Sequence, residues 1–429
     1  MSFSLFLIYL ALAYVYPGEV FPELAPYRIT LSIGILGLVA SLVTLGIKGR
    51  LFLWVTPLVL VGGLTISMML SNMWADRWLG APAFVLESFG PTLTLFILAI
   101  WNITSLRRLR ITAFVLVLLA VVLVGQGVAA YHFGYHEDQL LYKYQDDDDE
   151  NGATEVRVRG LGLLHDPNDL ALALVITLPF LGLAWERRRT AKNILLVVLP
   201  AAILIYGVYL TRSRGGLLGV LAVALAAMIG RMGRTRAIVL TGLLAVMLIG
   251  LNFTGGRGMT NDDSAQGRVD AWSEGLQMFR ESPLLGVGLH NFSEHNHLTA
   301  HNSFVLCFAE LGITGYFFWM ALLVGAFRQL RAVRKSADSD LNPDLRDYAR
   351  ACEIAFIGFL ASAFFLSRSY NPLLFLLFAL AFAVNRMAAR AGCSLTPTSF
   401  SVLSKRTFAL EVASIVIMYV LIRANRLLL

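Results

Sequence analysis

FTGGRGMTNDDSAQGRVDAWSEGLQMFRESPLLGVGLHNFSEHNHLTAHN, residues Phe253 to Asn302, is the longest polar segment in a chain otherwise dominated by apolar runs. It carries three of the chain's arginines and four of its seven histidines, and long apolar runs flank it on both sides. That setting decides the fold, because a polar insert between such runs reads as a loop presented at a membrane face. With 57% hydrophobic and 15% charged residues and a mean hydropathy of +0.69, the 429 residues carry too little polar surface to cover a soluble globule. The runs match the roughly 20 residues a helix needs to cross the hydrocarbon core, whereas a barrel shows alternating segments of about ten. The expected fold is all-α, a polytopic transmembrane helix bundle of about 12 spans with a large helical loop on the outer face.

The first six spans read as Ser2 to Pro17, Ile29 to Ile47, Leu51 to Leu70, Ala83 to Trp101, Ile111 to Ala130 and Asn168 to Trp185. The second six read as Ile194 to Leu210, Gly215 to Gly230, Ala237 to Asn252, Ser303 to Phe327, Ala351 to Leu366 and Asn371 to Asn385. The chain then divides into N-terminal helices (1–130), an outer loop (131–167), a transmembrane core (168–252), a catalytic loop (253–302), C-terminal helices (303–390) and a cytoplasmic link with a tail helix (391–429). The apolar tail from Phe408 to Ile422 suits either a thirteenth span or an interfacial helix. Lys and Arg are retained on the cytoplasmic side, and they crowd alternate links: 22 fall on one set and 11 on the other, with Arg423 and Arg426 in the tail. This places the N-terminus in the cytoplasm and the two long loops outside. The first run lacks a basic start and a small-residue cleavage site, so it reads as a retained span.

Several function classes recede on composition. The net charge of +7 belongs to the membrane flanks, so no nucleic-acid partner is expected and membrane lipids are. Three cysteines, two in apolar runs, offer no disulfide framework. The acid run from Gln145 to Glu150 lacks the glycine and spacing of a calcium loop and reads as a solvated tract. A transporter would carry paired ionisable groups near the midplane. The intramembrane charges here are few, namely Glu87, Glu310 and Glu353, with Asp169 at a span edge.

The outer face carries the sharpest anomaly. Its basic residues are all arginine except Lys143, on the side that topology disfavours. Arginine's rigid fork binds phosphate oxygens in pairs and keeps its charge in a partly dry site. Arg28, Arg77 and Arg280 suit ordinary snorkelling. Arg157 and Arg159 precede the sixth span, Arg212 and Arg214 share the turn TRSRGG, Arg268 opens an expected amphipathic helix, and Arg368 lies in the turn SRSYN. Gly215 and Gly216 let a helix start close to an anion held by Arg214. In GRVDAWSEGLQMF, Arg268, Trp272, Gly275, Leu276 and Phe279 share a face, which reads as an interfacial helix.

The histidines His290, His295, His297 and His301 invite a zinc reading, but their spacing lacks HExxH and no cysteine is near, so no metal is expected. His301 differs. It sits at the membrane edge before Asn302, where a neutral imidazole suits a general base on an acceptor hydroxyl.

Taken together, RVRGLGLLHDPNDLAL (Arg157 to Leu172), YLTRSRGGLLGV (Tyr209 to Val220), GRVDAWSEGLQMFRESPLLGVGLHNF (Gly267 to Phe292) and AHNSFVLCFAELGITGYFF (Ala300 to Phe318) resemble the O-antigen ligase and Wzy-type polymerase superfamily. The resemblance implies a bacterial inner-membrane glycosyltransferase, independent of metal and cofactor, with its active site on the periplasmic side. Its donor would be an undecaprenyl diphosphate-linked glycan, and its acceptor lipid A core, another glycan or a protein. It implies that Arg212, Arg214 and Arg268 bind the diphosphate, with Arg159 next in rank, and that His301 is the base. Asn302, Arg368, His165 and Asn168 are secondary candidates. His165 stands where the family commonly has a less polar residue. Ligase and polymerase both fit, and a lipid-linked glycan transporter is the reading from another class.

Overall fold

The computed structural model describes residues 1–47, 55–145, 154–250, 262–296, 298–336, 338, 341–393 and 400–428. The link at Lys48, most of the acid run, residues 253–261 and His297 lie outside them. The described chain is helical almost throughout. Its main helices are α1 (Ser2–Val15), α2 (Ile29–Ile47), α3 (Val55–Ala75), α4 (Ala81–Asn102) and α5 (Leu106–Phe133). After them come α6 (Pro167–Leu181), α7 (Leu199–Leu210), α8 (Arg214–Met232) and α9 (Arg234–Gly250). The remainder is α10 (Asp262–Glu281), α11 (Ser303–Lys335), α12 (Pro343–Ala363), α13 (Pro372–Arg390) and α14 (Phe400–Leu428).

Among the described residues, 10 helices are long and apolar enough to cross a membrane, against the expected 12. Nine coincide with expected spans and the tenth is the tail helix, Val402–Asn425. The expected first span shortens to α1, 14 residues long, and α9, with 17 described residues, stands at the expected ninth. The eleventh becomes α12, whose first half carries Asp344, Arg346, Asp347 and Arg350. The loop 131–167 also departs from an all-helical reading. Strands β1 (Leu141–Gln145) and β2 (Thr154–Val158) pair antiparallel, Tyr142 opposite Arg157. Their alternation of Tyr, Val and charged residues suits a half-buried hairpin.

Contacts divide the chain into two compact units, each built from separated stretches. The first holds 1–44, 98–257 and 341–362. Its centre is α6, packed on α5, α7 and α8, with Leu170 through Val175 all buried. Small residues permit that closeness. A Cβ on Gly216 would stand 2.7 Å from that of Ala171, and one on Gly219 would stand 2.4 Å from Ser362 Oγ.

The second unit holds 45–97, 258–340 and 363–429, centred on α11, which packs against α3, α10, α13 and α14. Helix α11 is broken at Gly312, where φ is 60° and ψ −167°. The loop 283–288 fills the break: Ile313 N–H donates to Pro283 O at 2.8 Å, and Val287 and Gly288 N–H donate to Ala309 O and Glu310 O, each at 3.0 Å. Backbone groups freed inside an apolar span thus find partners. The polar side chain of Asn72 on α3 holds the same loop through both backbone groups of Leu289.

Candidate functional site

In the first unit, helix α7 ends at Leu210 and α8 starts at Arg214, so TRSRGG makes a turn of three residues between two apolar helices. Ser213 caps α8, its Oγ accepting from Gly216 N–H at 3.0 Å and donating to Asn168 Oδ1 at 2.7 Å. Asn168 Oδ1 also accepts from Arg157 Nη2 at 3.3 Å, and Arg157 Nε donates to Thr211 O at 2.9 Å. Thr211 and Ser213 are almost completely buried and Arg157 nearly so. The residues on each side of Arg212 are therefore clamped, while Arg212 and Arg214 themselves are half-buried. Arg212 adopts the left-handed backbone region, φ 51°. For a residue with a Cβ that costs on the order of 1 kcal/mol, and it persists where the surroundings fix it.

Arg159 and His165 meet on the neighbouring loop. Arg159 Nη1 lies 2.9 Å from His165 Nε2. A guanidinium can only donate, so Nε2 accepts and the imidazole proton sits on Nδ1, which faces Glu19 Oε2 at 3.8 Å. The rest of the fork is engaged by backbone, Nε with Gln139 O at 2.8 Å and Nη2 with Asp138 O at 3.3 Å. Arg159 thus works chiefly as a fastener of loop 137–165. Asn168 is placed by Asp166, the cap of α6, which accepts its N–H at 2.7 Å.

In the second unit, His301 also has a left-handed backbone, φ 47°, immediately before α11. Asn302 is fully buried and caps α11, its Oδ1 accepting from Phe304 N–H at 2.9 Å and Val305 N–H at 3.1 Å. Hydroxyls staple the SRSYN turn to this helix start. Thr299 Oγ1 donates to Ser367 Oγ at 2.8 Å, Ser303 Oγ accepts from Arg368 N–H at 2.8 Å and Ser369 Oγ donates to Ser303 O at 2.6 Å. Arg368 and His301 are so brought onto adjoining, fixed backbone. Next to them, burial and then the Glu310 carboxylate push the Tyr370 phenol well above its usual range. Desolvation lowers His290, whose ring lies edge-on to Phe84 and Tyr370 at 6.2 and 6.4 Å.

Arg268 departs from its expected place. Helix α10 starts at Asp262, so Arg268 stands within it rather than at its opening. The apolar face of α10 is also no interfacial stripe. Trp272 and Phe279 set edge to face on Phe364 and Phe308, at 5.8 and 5.5 Å, and Gly275 admits Val305 and Phe292. Among the described residues, no group of three His, Cys, Asp or Glu is gathered where it could hold a metal ion.

Residues 199–320, from α7 through the first half of α11, match a family model described as O-antigen ligase. Over that segment the chain is similar to O-antigen ligases. No curated protein matches the chain at the level that marks a relative. The matched segment contains the arginine turn, Arg268 and His301, while Arg157, Arg159, His165, Asn168 and Arg368 lie outside its bounds. Sequence pattern alone points weakly to Thr299, Ser303 and Ser369, since hydroxyls far apart in the chain show no periodicity. Tyr206 and Tyr209 leave a fainter trace, their spacing of three ahead of Arg212.

Proposed function

We propose that the chain is a membrane glycosyltransferase of the O-antigen ligase type, moving a glycan from undecaprenyl diphosphate to an acceptor hydroxyl on the periplasmic face. The observation that carries this reading is the arginine turn. Two arginines, Arg212 and Arg214, stand on a backbone fixed by the Arg157, Asn168 and Ser213 network at the end of an apolar helix. Such a pair suits a lipid diphosphate at the membrane edge. The family match over 199–320 supports the same class of enzyme.

In this reaction His301 removes the proton from the acceptor hydroxyl, whose oxygen attacks the anomeric carbon of the donor glycan. The bond from that carbon to the diphosphate oxygen breaks, and undecaprenyl diphosphate leaves with its negative charge. A diphosphate is a competent leaving group, so it needs charge stabilisation more than a proton, and Arg212, Arg214 and Arg268 are assigned that role. Arg159 stands second as a phosphate ligand, because its Nε and Nη2 already serve the backbone. Arg368, fixed beside the start of α11, is assigned to the acceptor side with Asn302 as the cap that holds His301.

The test is a reconstitution. Purified protein is given a synthetic undecaprenyl diphosphate-linked glycan and candidate acceptors without nucleotide, and release of undecaprenyl diphosphate is followed. Acceptor-dependent release is expected, with His301→Ala and Arg268→Ala at least about a hundredfold slower though still inserted and folded. Full turnover in either variant would remove that residue's role, and product length distinguishes single transfer from polymerisation.

A further inference from the structure

The arginine turn has a second support that the polar clamp does not include. Three rings form a column beside it, all within the first unit. His132, near the end of α5, stacks on Tyr206 of α7 with centroids 6.4 Å apart and planes 11° from parallel. Its Nε2 lies 2.7 Å from the Tyr206 hydroxyl, which fixes both rings. Tyr206 stacks in turn on Tyr209, at 6.0 Å and 17°. The column ends on a cation, for the guanidinium carbon of Arg212 lies 4.2 Å from the Tyr209 ring centroid.

Tyr and His at a helix end suit an aromatic belt at headgroup depth, and exposure of Tyr206 agrees with that. A belt does not account for the register. Belt aromatics anchor singly, whereas these rings are nearly parallel, Tyr206 and Tyr209 are one helical turn apart, and the last lies under a guanidinium. The left-handed backbone at Arg212 accompanies a side chain laid back over the helix it follows. Stacking uses the face of a guanidinium and not its N–H edge, and the edge is what grips phosphate oxygens in pairs.

We infer that Tyr209, backed by Tyr206 and His132, is a positioning residue that holds Arg212 by its face and presents its N–H edge to the lipid diphosphate. This rests on the assignment of Arg212 as a diphosphate ligand. The ring face carries the effect and the Tyr209 hydroxyl does not, so phenylalanine is an adequate replacement and an aliphatic side chain is not. His132 and Tyr206 act one step removed, so their removal has a smaller effect than loss of Tyr209.

The experiment measures equilibrium binding of undecaprenyl diphosphate to the full chain in lipid nanodiscs, so it does not depend on turnover. The variants are Tyr209→Phe, Tyr209→Leu, Tyr209→Met, Arg212→Ala and the double variant Tyr209→Leu/Arg212→Ala. Tyr209→Leu and Tyr209→Met are expected to bind about tenfold more weakly and Tyr209→Phe within about twofold of the parent. In the Arg212→Ala background, Tyr209→Leu should add less than about a twofold loss, because the partner is already gone. An equal loss in both backgrounds would mark a merely structural ring and overturn the inference, as would parent-like binding by both aliphatic variants when Arg212→Ala is weakened. Parent-like binding by Arg212→Ala instead overturns the ligand assignment, and absence of binding by the parent protein overturns the proposed donor; either takes the inference with it.

Discussion

Arg212 and His301 share a backbone state that neither side chain favours, φ 51° and φ 47°, and in both cases the neighbouring residues are pinned. At His301 the strain can be separated from the chemistry by comparing two substitutions. Glycine accepts a left-handed backbone without cost and alanine does not. His301→Gly is therefore expected to be more stable than His301→Ala by about 1 kcal/mol, the reverse of their order in a helix, while both fail in glycan transfer. Thermal unfolding of the two proteins in detergent checks this, and equal midpoints would show that the position is relaxed. Asn168 offers a second test. Its Oδ1 is the shared acceptor for Ser213 and Arg157, so Asn168→Ala removes both of these hydrogen bonds and is expected to cost about 1–3 kcal/mol and weaken donor binding. An unchanged midpoint and affinity would mean that water replaces the amide. The arginines of the turn were legible in the sequence because they defy the charge bias of the other links. The clamp was not, since Arg157 meets Thr211 across 54 positions and no local pattern records such a contact.

The elements that carry these residues are shaped by glycines whose role depends on distant backbone. Helix α11 reads as one unbroken apolar run, yet Gly312 breaks it at φ 60°. A Cβ there would stand 2.4 Å from the Leu284 carbonyl carbon, and one on Gly286 2.3 Å from that of Glu310. Both contacts are with backbone, so no side chain can move aside. Gly312→Ala is expected to unseat the loop 283–288 and cost about 3 kcal/mol or more, because carbonyls inside an apolar span lose their partners with it. Limited proteolysis between Ser282 and His301 should rise in the variant, and parent-like resistance would contradict this account. The break escaped the sequence reading because periodicity reports which face is apolar and is blind to a compensated interruption. The same reason explains α10. Its stripe of Trp272 and Phe279 is equally apolar whether it meets lipid or α11, and only the packing on Phe308 and Phe364 decides.

Among the described residues the charge bias and the hydropathy pattern agree on nine spans, and the tail is where they part. Arg423 and Arg426 favour keeping the C-terminus with the other cations. Helix α14 shows another preference. Thr407 and Glu411 are fully buried, and Ser414 meets the Tyr316 hydroxyl of α11 at 2.7 Å, so its polar side faces protein. Phe408, Val416, Ile417 and Val420 are all more than half exposed, as lipid-facing residues of a span are. An interfacial helix would place its polar side in water instead. The helix should therefore cross, carrying the C-terminus to the side opposite the basic link 386–406. A cation near the end of a span costs little when it can reach water, and Arg423 Nε already has the Tyr419 hydroxyl at 3.3 Å. A phosphatase reporter that is active only outside the cytoplasm should then be active when fused after Leu429 and silent when fused after Gly392. A fluorescent protein that matures only in the cytoplasm should give the opposite pair. The same reporter result at both positions would return α14 to the membrane surface and leave the burial of Glu411 without a cause.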